Sequence, residues 1–156
     1  MIGTAIGYRR VSSTEQVHGF SLHEQERTIR EWCVRAGLPL LAIYDNGTRG
    51  ESGKDLARDG FQQVLDHIDR GGITHVVVAK LDRLGRSFRD IAKLLEDWEA
   101  QDVRLISVGE GITDSHGTNR TLIHLLSEFA EMERTRLIAR VKPGMRARFD
   151  AGLPPT

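Results

Sequence analysis

The chain has 156 residues, 39% apolar and 28% charged, ordinary values for one globular domain with a proper core. Its 22 basic and 22 acidic side chains cancel, so net charge gives no reason to expect a nucleic-acid partner, and any basic surface has to be local. The single cysteine, Cys33, excludes an internal disulfide and a cysteine-based metal cluster and fits a reducing cytosol; no apolar run approaches the roughly 18 residues of a membrane span, and the N-terminus lacks the basic-then-apolar pattern of a signal peptide.

Residues 4–11 (TAIGYRRV) read as a first strand, and residues 22–36 as a helix. Ser21 and Glu24 form an S-x-x-E capping box before that helix, Gly37 and Pro39 stop it, and Leu22, Ile29, Trp32, Cys33 and Ala36 supply its apolar face. Residues 40–45 (LLAIYD) make a second strand, and residues 46–59 are polar and glycine-rich, a long loop. Phe61, Val64, Leu65 and Ile68 mark a helix that Gly71 and Gly72 end, and residues 74–79 (THVVVA) are a near-continuous apolar strand of the kind found in covered parallel sheets.

Ser87 caps the next helix, with Asp90 at its third position and Ile91, Leu94, Leu95 and Trp98 at helical spacing. Residues 103–108 (VRLISV) form a fourth strand. A long helix starts near Asn119, with an apolar stripe of Leu122, Leu125, Leu126, Phe129 and Met132 compatible with packing on its own sheet. The alternation predicts an α/β fold around a mostly parallel central sheet of about four to five strands flanked by helices, followed by the long C-terminal helix. Ligands of such sheets sit beyond the carboxyl ends of the strands, where residues 8–12 and 80–86 fall and can meet at one edge.

Two glycine motifs fail. RGESGKD (49–55) lacks the P-loop glycine at Thr48 and has Asp55 where Ser or Thr belongs. GEGITD (109–114) has Asp114 in place of the third glycine of a dinucleotide fingerprint. The six histidines form no H-x-x-x-H or H-E-x-x-H pair, and nothing in the spacing of the acidic residues suggests a metal site.

A different constellation holds up better. Alternate side chains of a strand share a face, so Tyr8, Arg10 and Ser12 project together while Arg9 and Val11 point the other way. KLDRLGRS (80–87) puts Lys80, Asp82, Arg83 and Arg86 between an apolar strand and a capped helix. Asp82 can pair with an arginine and order that turn. Arginine is always protonated, so clustered guanidinium groups repel one another unless an anion joins them, and their planar forks match phosphate oxygens. A serine among them points to a nucleophile for a phosphoryl group, because fixed positive charge favours the alkoxide and the extra charge of a five-coordinate transition state.

GYRRVSS-TEQ…GFSLHEQ, KLDRLGRS and EFAEMERTRLIAR, in that order, resemble the catalytic domain of the serine recombinases, the resolvase/invertase group, over nearly the whole chain. GFSLHEQ is common in the large serine integrases and transposases and hints at that branch. The resemblance implies that Ser12 is the nucleophile, with Ser13 its neighbour. It implies that Arg10, Arg83 and Arg86 contact the scissile phosphate, that Asp82 orients them or helps move protons, and that Tyr8 supports the site. Glu133 and Arg134 match the E-R pair of the long helix, with Arg134 reaching towards the site or DNA, and Arg140 joins them as a supporting residue. A 5′-phosphoserine link at each broken strand, exchange within a tetramer, resealing, and no metal or nucleotide cofactor are further implications. The expected partners are DNA and copies of the chain itself, with no membrane, in a bacterial or phage-encoded cytoplasmic protein.

After Glu133 the long helix turns basic: Arg134, Arg136, Arg140, Lys142, Arg146 and Arg148 face only Asp150, a stretch suited to DNA backbone contact or to a solvated helix face. The expected organisation is a catalytic core at 1–118, a helix for oligomerisation and DNA contact at 119–149, and at 150–156 the start of a linker to a DNA-binding domain absent from the sequence. Pro143 departs from the family pattern: it removes a hydrogen bond at a cost of roughly 3 kcal/mol, so the helix is expected to end near Val141 or to bend. Two other functions compete: a DNA-associated dimerisation module without catalysis, against which the complete set Arg10, Ser12, Asp82, Arg83 and Arg86 speaks, and a metal-dependent nuclease or phosphatase, against which the ligand spacing speaks.

Overall fold

A computed structural model of the chain describes residues 3–10, 21–45, 56–85, 87–113 and 118–150, with side chains throughout except at 56–59, 118–119 and 140–150. In the described residues strands and α-helices alternate: β1 (Ala5–Arg9), α1 (Leu22–Ala36), β2 (Leu40–Asp45), α2 (Leu56–Arg70), β3 (His75–Val78), α3 (Phe88–Ala100), β4 (Arg104–Ser107) and α4 (Thr118–Asp150), with a 3-10 turn at Leu81–Arg83 between β3 and α3. Among the described residues the sheet has four strands in the order β2-β1-β3-β4, all parallel. The fold is the expected α/β architecture.

Side-chain alternation builds two cores on this sheet. Ile6, Tyr8, Val76, Val78 and Leu105 face α2, α3 and the start of α4, meeting Val64, Ile68, Leu95, Trp98 and Leu126. Ala5, Val77 and Ile106 face the other way, against Ile29 and Cys33 of α1. Arg9 belongs to the α1 side, as the strand pattern requires.

Local chemistry sets the helix ends. The Ser21 hydroxyl accepts from the Glu24 amide at 3.2 Å while the Glu24 carboxylate accepts from the Ser21 amide at 3.0 Å, closing the capping box. Gly37 ends α1 in the left-handed region at φ 63°, where a side chain is disfavoured. The Ser87 hydroxyl accepts from the Asp90 amide at 3.1 Å and starts α3.

Three expectations need correction. The loop drawn over 46–59 is too long, because α2 already starts at Leu56. The approach is close: a Cβ at Gly60 would stand 1.7 Å from the Asp45 carbonyl oxygen, so glycine lets α2 press against the end of β2. Of the two alternatives at Pro143, an end near Val141 is ruled out, since α4 continues through Pro143 to Asp150. Nor does the apolar stripe of α4 pack wholly on its own domain: Leu122 and Leu126 are buried, but Leu125, Phe129 and Met132 are 52%, 40% and 45% exposed. No helix among the described residues is long and apolar enough to cross a membrane.

Candidate active site

Two segments more than 70 residues apart meet beyond the carboxyl ends of β1 and β3. The Arg10 guanidinium donates to the carbonyl oxygen of Asp82 at 2.8 Å, and the Arg83 guanidinium donates to the carbonyl oxygen of Arg10 at 3.0 Å. Each arginine is thus tied to the backbone of the other's segment. Asp82 and Arg83 lie on a single 3-10 turn, Leu81–Arg83, and the Asp82 carboxylate pairs with the Arg83 Nε at 3.1 Å. Arg83 is only 6% exposed, whereas the Asp82 side chain stands in solvent. A charge buried that deeply needs partners close by, and the Arg10 carbonyl and the Asp82 carboxylate are two of them.

Gln25 fixes the end of β1 from the other side. Fully buried in α1, it accepts from the Arg10 amide at 3.1 Å and donates to the Arg10 carbonyl at 3.0 Å. The Arg10 carbonyl therefore takes one bond from Gln25 and one from Arg83, filling both lone pairs. Arg9 braces the same strand end: it donates to Glu26 at 2.7 Å, to the Leu22 carbonyl at 3.2 Å and to Asp45 at 3.0 Å, joining β1 to α1 and β2. The Arg30 hydrogen bond, aided by the charges of Arg9, Arg30 and His23, holds the Glu26 carboxyl below the usual carboxylate range, with burial opposing.

Tyr8 is 4% exposed and rests edge-on against Phe61, ring centroids 5.1 Å apart. Burial pushes its phenol above the ordinary value of 10.0; Arg10 pulls it back and Asp45 adds to the rise. Tyr8 is accordingly a neutral, rigid wall beside Arg10 at physiological pH.

Four of the sequence-predicted residues, Tyr8, Arg10, Asp82 and Arg83, fall together at this edge. Ser12, Ser13 and Arg86 lie outside the described residues, as does the Arg140 side chain. Glu133 and Arg134 are exposed on α4 and line, with Ser87, Arg89 and Lys93, a groove of about 650 Å³ between α3 and α4. Sequence reading passed over Gln25, although a signal was there: it sits on the buried stripe of α1 at helical spacing between Leu22 and Ile29, where a polar residue needs a reason.

The family described as Resolvase, N terminal domain matches residues 5–153. The chain belongs to the resolvase family. Among its relatives, the transposon Tn3 resolvase of Escherichia coli is 30% identical over 138 residues, covering 88% of this chain and 68% of the relative. The DNA-invertase of Enterobacteria phage P7 is 34% identical over 142 residues, covering 91% and 68%. Among solved structures, the N-terminal catalytic domain of TP901-1 integrase superposes with a TM-score of 0.67 at 30% identity, over 85% of this chain and 97% of that one. A resolvase family site-specific recombinase from Streptococcus pneumoniae does so with a TM-score of 0.78 at 26% identity, over 95% and 99%. The class is that of the site-specific recombinases, enzymes of the serine type.

Proposed function

We propose that this domain breaks and rejoins DNA through a 5′-phosphoserine intermediate on Ser12. What supports the reading is the mutual tie of Arg10 and Arg83, which gathers guanidinium groups from two distant segments two residues before Ser12. The Ser12 oxygen attacks phosphorus; the new phosphorus–oxygen bond forms as the bond to the 3′ oxygen breaks, and the hydroxyl proton ends on that 3′ oxygen. Arg10, Arg83 and Arg86 neutralise the charge added in the five-coordinate transition state, where removing one such preorganised donor typically costs about 3–4 kcal/mol. Asp82 orients Arg83, and Tyr8 walls the site. The phosphoseryl ester resembles the phosphodiester it replaces, so a 3′ hydroxyl reverses the step without an external energy source.

Residues 1–118 form the catalytic core in this reading, and residues 119–149 carry self-association and DNA contact. The exposed Leu125, Phe129 and Met132, one helical turn apart, suit packing against another copy of the chain as a dimer and, on DNA, a tetramer. Glu133, Arg134 and Arg140 support the site or reach the DNA backbone, and residues 150–156 begin a linker. Denaturant quenching of the recombinase on a plasmid carrying its recombination site yields protein-linked 5′ ends, and Ser12→Ala yields none; covalent product from that variant overturns the assignment of the nucleophile.

A further inference from the structure

We propose that Glu110 is a positioning residue that holds the arginine-bearing turn in register with the sheet, an inference that rests on the phosphoserine reading. Residues 109–113, from a stretch that matches no nucleotide-binding pattern, follow β4 as a tight turn. Ser107 and Ile112 exchange two backbone bonds, each 3.0 Å long, and Glu110 stands at the tip. Its carboxylate accepts from the backbone amide of Leu81, at 3.1 Å to Oε2 and 3.3 Å to Oε1, and Oε2 also accepts from the hydroxyl of the fully buried Ser107. Leu81 is the first residue of the 3-10 turn that carries Asp82 and Arg83.

The arrangement supplies something the turn cannot provide itself. Lys80 occupies the cap position, its side chain makes no cap bond, and an ammonium group has no acceptor to offer the orphan amide. Glu110 acts as that cap from 29 residues away in sequence. The two segments are also zipped by backbone: Val108 donates to Val78 at 3.1 Å and Gly109 donates to Ala79 at 2.8 Å. Gly109 is required for this approach, since a Cβ there would stand 2.9 Å from both the Ala79 carbonyl oxygen and the Lys80 side chain. A turn anchored to β4 at its first amide, and to β1 through Arg10, has little freedom to move Arg83.

Three variants and two readouts test this. In single-turnover covalent-adduct formation at saturating DNA, Glu110→Ala is expected to be slowed about tenfold or more, since misplacement by about 1 Å can cost on the order of 100-fold. Its DNA affinity stays within about twofold of wild type, because the groups Glu110 accepts from, the Leu81 amide and the Ser107 hydroxyl, are not DNA ligands in this reading. Glu110→Gln keeps a side-chain oxygen for both donors and recovers most of the rate. Should the alanine variant fail to fold, Ser107→Ala removes only the anchor of the carboxylate and is expected to slow the same step at unchanged affinity. Amide hydrogen exchange at Leu81, measured without DNA, rises in Glu110→Ala. A wild-type rate in Glu110→Ala, a loss that Glu110→Gln fails to restore, or unchanged exchange at Leu81 overturns the inference. Absence of adduct from the wild-type protein, with Leu81 protected by Glu110, instead overturns the phosphoserine reading and leaves the brace standing.

Discussion

Gln25 grips Arg10 by its backbone alone: the buried amide accepts from the Arg10 N–H at 3.1 Å and donates to the Arg10 carbonyl at 3.0 Å. One helical side chain thus does for the end of β1 what a neighbouring strand does along its length. Gln25→Ala leaves the half-buried Arg10 N–H without its partner while the Arg10 carbonyl keeps its bond from Arg83, and an unsatisfied group costs about 1–3 kcal/mol. A loss of about 1–3 kcal/mol is expected in urea unfolding, with an unchanged m-value. A loss well under about 1 kcal/mol would show that another group replaces the grip.

Gly60 permits the contact of α2 with the end of β2. Adding one methyl places it 1.7 Å from the Asp45 carbonyl oxygen, which is backbone and cannot swing aside. Gly60→Ala is expected to destabilise by about 3 kcal/mol or more, at or beyond the upper end of overpacking, despite the better helix propensity of alanine. A thermal midpoint at or above wild type contradicts the packing described.

The phenol of Tyr8 titrates above its ordinary value of 10.0 because it is buried. Between the unfolded and folded values the native state keeps a proton that the unfolded chain has lost, so stability is intact below about pH 10 and falls as pH rises through the folded value. Tyr8→Phe removes that part of the alkaline slope. Unfolding midpoints between about pH 9 and pH 11 test it, and parallel pH profiles for the two proteins would refute it.

The exposed apolar face of α4 makes a prediction about assembly. Phe129 also touches Phe88 within the domain, ring centroids 5.6 Å apart, so Leu125 and Met132 are the cleaner probes. Leu125→Glu with Met132→Glu is expected to weaken self-association about tenfold or more, with little change in the unfolding midpoint of the domain. Sedimentation equilibrium reads the first and calorimetry the second. Unaltered association locates the interface elsewhere.

The fold was largely legible because its signals are local. The Ser21–Glu24 box, the glycine at 37, the Ser87 cap and the apolar runs 40–45 and 74–79 each announce their own element, whereas the strand order β2-β1-β3-β4 depends on contacts between distant segments and emerged only with the structure. The arginine edge was legible in kind, since two separate segments carried the same chemistry. The devices that set its geometry were not. Gln25 and Glu110 work by bonding to the backbone of segments 15 and 29 residues away, and a backbone partner leaves no trace in side-chain identity. The start of α2 was misread because residues 56–59 (LARD) continue the polar run before them, and the fit of Gly60 against the Asp45 carbonyl is visible only in the structure. Pro143 pointed to a helix end or a bend, and α4 continues through it to Asp150, so its local cost of roughly 3 kcal/mol does not terminate the helix.

In the proposed mechanism Ser12 carries the DNA. The recombinase is incubated with DNA bearing its site, quenched with denaturant, digested with nuclease and protease, and sequenced by mass spectrometry. A nucleotide esterified through its 5′ phosphate to Ser12, formed by the wild-type protein and missing from Ser12→Ala, is the predicted result. The same adduct on Ser13 or Tyr8, or strand exchange proceeding with no covalent protein–DNA species at all, would contradict it.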